Sequence, residues 1–106
     1  MGVVRSAQAG WRTVSTVGVA VKPLRDDKAT GASTFLLRVD AGARVPLHNH
    51  PGGEEIFVLE GDIALGKDHL HSGDYLYTAP NNKHGARSEN GCVLLVVVPE
   101  QVEVLR

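Results

Sequence analysis

The stretch Gly42-Ala-Arg-Val-Pro-Leu-His48-Asn-His50-Pro-Gly-Gly-Glu54-Glu-Ile-Phe-Val-Leu-Glu-Gly61 decides how the rest of the chain is read. His48 and His50 stand two apart, so on an extended strand both imidazoles leave the same face. Pro51-Gly52-Gly53 cannot continue that strand and reads as a turn with backbone freedom. Beyond it, Glu54 opens an apolar run, Ile56 to Leu59, that reads as the next strand and closes on Gly61. A hairpin of this shape returns one carboxylate over two imidazoles, which is the beginning of a divalent-metal site. A fourth ligand must come from elsewhere in the chain, and His84 is the candidate.

Outward from this stretch, short apolar or alternating runs are broken by turn signals. The runs are Trp11–Val14, Val17–Leu24, Ser33–Asp40, Glu54–Glu60, Asp62–Leu65, Asp74–Thr78, Cys92–Val98 and Gln101–Leu105. Val, Ile, Leu, Thr and Tyr fill them, as strands require, and no window keeps a 3.6-residue apolar period. Many short strands at close spacing predict an all-β sandwich or barrel. Cys92–Val98 is apolar almost throughout, so both of its faces are expected to be covered. Pro23 marks Val17–Leu24 as an edge strand or a bulged one. Gly61-Asp-Ile-Ala-Leu-Gly66-Lys67-Asp68 approaches a phosphate-binding loop. Asp68, however, occupies the place of the magnesium-binding Ser or Thr and no helix pattern follows, so it reads as strand and turn.

A chain of 106 residues is expected to form one domain, residues 1–106. The formal net charge is −1, with both signs interspersed. Nothing resembles a basic nucleic-acid face or a polybasic membrane segment, so neither partner is expected. The single cysteine, Cys92, rules out an intramolecular disulfide and fits a reducing, cytoplasmic compartment. No apolar run approaches the roughly 20 residues of a membrane helix, and no signal peptide is expected. Met1 to Ser6 fits the loose myristoylation template, which is set aside as unspecific.

The spacing of Gly42, His48, His50, Glu54 and Gly61 resembles the first motif of the cupin superfamily at every position. That motif is Gly, five residues, His-x-His, three or four residues, Glu, six residues, Gly. Residues 73–88 resemble the second motif, with Gly73 and His84 in place. Ala79 stands where its first Pro belongs, with Pro80 one later, and Ser88 replaces its final Asn. Asn81 replaces its Gly, and Asn is the other residue that tolerates left-handed backbone readily. More closely, roughly residues 10 to 98 resemble the cupin domain of the ChrR anti-sigma factors and the small acetylacetone-dioxygenase-like cupins. Trp11, Thr30 to Arg38, His50-Pro-Gly-Gly-Glu-Glu and Glu89-Asn-Gly91-Cys92 carry that likeness. The separate sigma-binding helical domain of that family has no counterpart in this sequence. The resemblance implies a small antiparallel β-barrel (a double-stranded β-helix, or jelly roll). It also implies His48, His50, Glu54 and His84 as metal ligands, and often a homodimer.

Other residues were weighed against this set. Only one of Glu54 and Glu55 can face inward on a strand, and the six residues to Gly61 favour Glu54. His69 and His71 also alternate but have no carboxylate in register, so they read as exposed turn residues. Cys92 reads as a small core residue rather than a reactive thiol. Tyr75 and Tyr77 share a face and could line the pocket, or equally pack in the core or at an interface. Arg38, the one basic residue in an otherwise apolar strand, could anchor an anionic ligand, although that role is disfavoured.

Three neutral imidazoles and one carboxylate around a divalent ion leave a net charge of about +1. Octahedral Fe(II), Mn(II) or Ni(II) would then keep two open positions, whereas zinc would settle for tetrahedral closure or one extra water. The expected function is a metal-dependent oxygenase, or a related enzyme, acting on a small diketone-like or enolisable substrate. The alternative is a non-catalytic metal-binding sensor with structural zinc. A metal-free ligand-binding cupin is disfavoured because it leaves the four ligands unexplained. Edge strands such as Gln101–Leu105 need covering, which also suits a homodimer.

Overall fold

A computed structural model describes residues 1–100, 103 and 104, except for the side chains of residues 47, 48, 103 and 104. Among the described residues there are ten strands: β1 (Arg12–Thr13), β2 (Val19–Asp26), β3 (Ser33–Val39), β4 (Arg44–Asn49) and β5 (Glu54–Leu65). They continue as β6 (Asp68–His71), β7 (Tyr75–Thr78), β8 (Lys83–Arg87), β9 (Cys92–Val98) and β10 (Glu103–Val104). Apart from a 3-10 turn at Ser6–Gln8, the described residues contain no helix, and none is long and apolar enough to cross a membrane.

The strands run antiparallel in the order β1-β2-β3-β9-β5-β8-β4-β10, with β6 and β7 also paired to β5. One strand therefore serves both halves of a curled sheet. Residues Glu54 to Gly61 of β5 pair with β7 and β9, and Asp62 to Leu65 pair with β6 and β8. The expected break at Gly61 is instead a passage from one half to the other. Gly61 makes that passage sterically possible. Its φ is +83°, and an added Cβ would lie 2.0 Å from the carbonyl oxygen of Gly91.

A bulge between Val58 and Glu60 changes which residues of β5 face inward. Glu54, Ile56 and Val58 are buried before it, Ile63 and Leu65 after it. These side chains join Val39, Leu70, Cys92, Leu94, Val96 and Val98 in one core between the two halves. Along β9 every second residue is buried and those between are half-buried, so both faces are covered. Pro23 sits at a bulge in β2 opposite β3, and beyond the two residues, Ala20 and Val21, that pair with β1.

Two sequence expectations are corrected. The chain from β4 to β5 is not a hairpin, because β8 lies between them in the strand order. Pro51-Gly52-Gly53 carries the chain across from one half of the sheet to the other. His69 and His71 lie on β6 rather than in a turn, although both are exposed. Of the expected strand Gln101–Leu105, residues Glu103 and Val104 pair with β4, and the remainder lies outside the described residues.

Candidate metal centre

Glu54 is the first residue of β5 and shares its inward parity with Ile56 and Val58. Its carboxylate is therefore carried into the interior by the same alternation that builds the core. His50 follows the end of β4, and the turn behind it is tightly held. The His50 carbonyl accepts the backbone N–H of Gly53 at 3.0 Å and that of Asn81 at 2.8 Å. Asn81 has φ +64°, the left-handed conformation expected of the residue that replaces a glycine there. The link between the turns after β4 and after β7 brings the two sequence motifs together, and spacing alone did not reveal it. Asn49 Nδ2 adds a longer contact to Asn81 Oδ1 at 3.4 Å. His84 lies on β8, paired in register with His48 of β4.

The three described side chains converge. Glu54 Oε2 lies 3.0 Å from His50 Nε2, and Glu54 Oε1 lies 3.3 Å from His84 Nε2. The two imidazole centroids are 5.2 Å apart with their planes tilted by 46°. One donor atom from each of His50, Glu54 and His84 lies within 4.8 Å of the other two. His50 and Glu54 are buried and His84 nearly so. The side chain of His48 lies outside the described residues.

Electrostatics favour an ionised carboxylate. Burial pushes the Glu54 carboxyl upward, but hydrogen bonding and positive charge from His50 and His84 outweigh it and hold the pKa at about 2. Oε1 of Glu54 is buried against His84 Nε2. A buried anion so placed fits a cation. Donors about 2.1 Å from a common ion lie roughly 3.0 Å apart at octahedral angles and roughly 3.4 Å apart at tetrahedral ones. The 3.0 and 3.3 Å separations are in that range, each to a different oxygen of Glu54, and the three donors lie within 4.8 Å of one another.

The cluster borders a cavity of about 470 Å³. The other described residues lining it are apolar, among them Val21, Phe35, Leu37, Ile56, Leu94 and Val96, apart from Ser15 and Thr16. The loop between β1 and β2 supplies those two hydroxyls, a contribution that nothing in the sequence pattern signalled.

The remaining candidates lie elsewhere. Glu55 faces outward and accepts the Tyr75 hydroxyl at 2.7 Å. Tyr75 and Tyr77 are exposed on that outer face beside Phe57 and do not line the cavity. Arg38 stacks over Trp11 at 4.7 Å on the far side of β3, with Lys22 against the same ring at 4.9 Å. It is therefore not positioned to anchor a ligand in the cavity. Cys92 is a buried free thiol whose pKa burial raises, as a core residue should be.

Comparison with known proteins places this geometry in context. A search among curated proteins finds no match. Among solved structures, an acetylacetone dioxygenase from Acinetobacter johnsonii superposes with a TM-score of 0.84 at 12% identity, covering 100% of this chain and 77% of the other. The polyketide cyclase RemF from Streptomyces resistomycificus gives 0.82 at 21% identity, covering 100% and 86%. The complex of Rhodobacter sphaeroides SigE with the anti-sigma ChrR gives 0.76 at 28% identity, covering 89% of this chain and 50% of that one. The fold is thus that of the cupins. The family described as the ChrR cupin-like domain matches residues 1–101, and the chain belongs to it.

Proposed function

We propose that the protein binds one divalent metal ion through His48, His50, Glu54 and His84. In this reading it acts as a metal-dependent enzyme, of the oxygenase type, on a small diketone-like or enolisable substrate. The observation that carries the reading is the position of the His50–Glu54–His84 cluster on the wall of a 470 Å³ apolar cavity. A purely structural ion needs no such space beside it. When bound, the ion would supply Lewis acidity and open positions for a pair of substrate oxygens. The chain's own part is to hold Glu54 ionised, to fix His50 through its doubly bonded carbonyl, and to keep the substrate among apolar walls that exclude water.

The likeness to an acetylacetone dioxygenase at 12% identity supports the fold and suggests where to begin testing. Protein purified without oxygen and loaded with Fe(II) is expected to consume oxygen in the presence of a diketone panel. If it never exceeds a His50→Ala control, the enzymatic reading fails.

A second reading rests on the 28% identity to the chain in the SigE–ChrR complex. There the same residues would hold zinc in a non-catalytic sensor module. Stoichiometric zinc that resists exchange would favour it, and a labile ion with exchangeable ligands would count against it. The homodimer implied by family resemblance would find an apolar outer face at Phe57, Tyr75 and Tyr77, and sedimentation equilibrium tests it.

A further inference from the structure

The chemistry of the cavity wall limits what can occupy it, over and above the choice of metal. Among the described residues no Lys, Arg, Asn or Gln lines it. The polar groups are His50, Glu54 and His84 in one cluster and the hydroxyls of Ser15 and Thr16 on the β1–β2 loop. A hydroxyl can satisfy a neutral oxygen, but it cannot neutralise a second charge buried among Val21, Phe35, Leu37 and Leu94. A ligand charge placed deep among these side chains, away from the cluster, would lose its hydration without gaining a partner.

Size adds a second limit. At about 30 Å³ for each water-sized group, 470 Å³ holds about fifteen such groups. A bare diketone head such as acetylacetone, with seven non-hydrogen atoms, would leave more than half of that space unfilled. Apolar wall without a facing partner forfeits its contacts.

We infer that the ligand is an uncharged molecule with an apolar body, aromatic or branched aliphatic, attached to a single oxygen-bearing head that meets His50, Glu54 and His84. The head's role rests on the metal reading above, whereas the body's role rests on the cavity alone. This separates the present protein from proteins that would take substrates carrying a charge away from the oxygen-bearing head. The discriminating feature is the absence of a cation among the described wall residues, not the identity of the ion.

Calorimetric binding to the metal-loaded protein tests this with three ligands that share one head. Benzoylacetone is expected to bind at least tenfold more tightly than acetylacetone. The derivative of benzoylacetone carrying a carboxylate para on the ring is expected to bind at least a hundredfold more weakly than benzoylacetone. Equal affinities across the three, or tighter binding of the carboxylate, would overturn the inference. n-Butylbenzene, which has no metal-binding head, is offered to chelator-treated protein to separate the two readings. It is expected to bind wild type and to be lost in Val21→Phe, which fills the cavity from β2 while metal uptake stays unchanged. Butylbenzene binding without any metal uptake would sink the proposed function and leave this inference standing. Failure of butylbenzene to bind, with benzoylacetone indifferent to Val21→Phe, would sink this inference and leave the metal reading intact.

Discussion

Glu54 Oε2 lies 3.0 Å from His50 Nε2 although the two residues sit on opposite sides of a crossing between the halves of the sheet. His50 ends the β4 side and Glu54 begins β5, with β8 and its His84 between the two strands in the sheet order. The carboxylate therefore reaches the imidazoles across the interior and not along a shared ladder. A small change in the turn at residues 51–53 would displace the donor atoms of His50 and Glu54 directly, which makes the cluster sensitive to that turn.

The choice of carboxylate has a simple consequence. Glu54→Gln keeps the shape and removes the charge, so divalent-metal affinity should fall by at least about tenfold, the lower end of what even supporting residues at metal sites contribute. Glu55→Gln alters an exposed group bonded to Tyr75 and should leave affinity unchanged. Competition titration with a metal indicator measures both. The reverse ranking would show that the inward-facing carboxylate is not the ligand.

The ionisation of Glu54 predicts how the metal-free protein responds to acid. Its folded pKa, about 2, is below the ordinary 4.5, so its stabilising contribution is fully present above pH 4.5 and is lost as pH falls through about 2. The depression corresponds to on the order of 3 kcal/mol at most. Urea unfolding with chelator present, compared between wild type and Glu54→Gln, should show the wild-type advantage shrinking across that window. An advantage that grows toward low pH would contradict the assignment.

Gly61 and Gly66 separate steric conflict from backbone preference. Both have positive φ, but an added Cβ meets nothing at Gly66, whereas at Gly61 it meets Gly91 and Cys92 backbone. Gly66→Ala should cost about 1–2 kcal/mol. Gly61→Ala should cost roughly 3 kcal/mol or more, because paired backbone must also shift. Similar denaturation midpoints for the two variants would refute the role given to Gly61.

Cys92 should react slowly with a disulfide reagent at pH 8 in the native protein and fully after unfolding. It is buried, and burial raises its pKa, so little thiolate is accessible. Rapid stoichiometric labelling without unfolding would contradict its core position.

Much of this was legible in the sequence because it rests on local chemistry. Alternation allowed only one of Glu54 and Glu55 to face inward and the count to Gly61 favoured Glu54, Asn81 stood where left-handed backbone is tolerated, and Pro23 marked an edge strand or a bulged one. What escaped depends on partners far away in the chain. Gly61 reads locally as a strand end, yet β5 continues through it because Gly91 and Cys92 approach from β9. Residues 83–87 lack a strong β pattern and become β8 only because β4 and β5 offer edges on both sides. Tyr75 and Tyr77 alternate like core residues, but nothing in their spacing says which face of β7 meets the interior.

The most direct measurement is equilibrium dialysis against Mn(II) or Zn(II), with metal analysis, of wild type, His50→Ala and His84→Ala, each first confirmed to be folded. The account predicts one bound ion per wild-type chain and a comparable loss in both variants, although the two histidines are separated by the whole of β5, β6 and β7. Wild-type stoichiometry retained in His84→Ala would contradict a shared cation site.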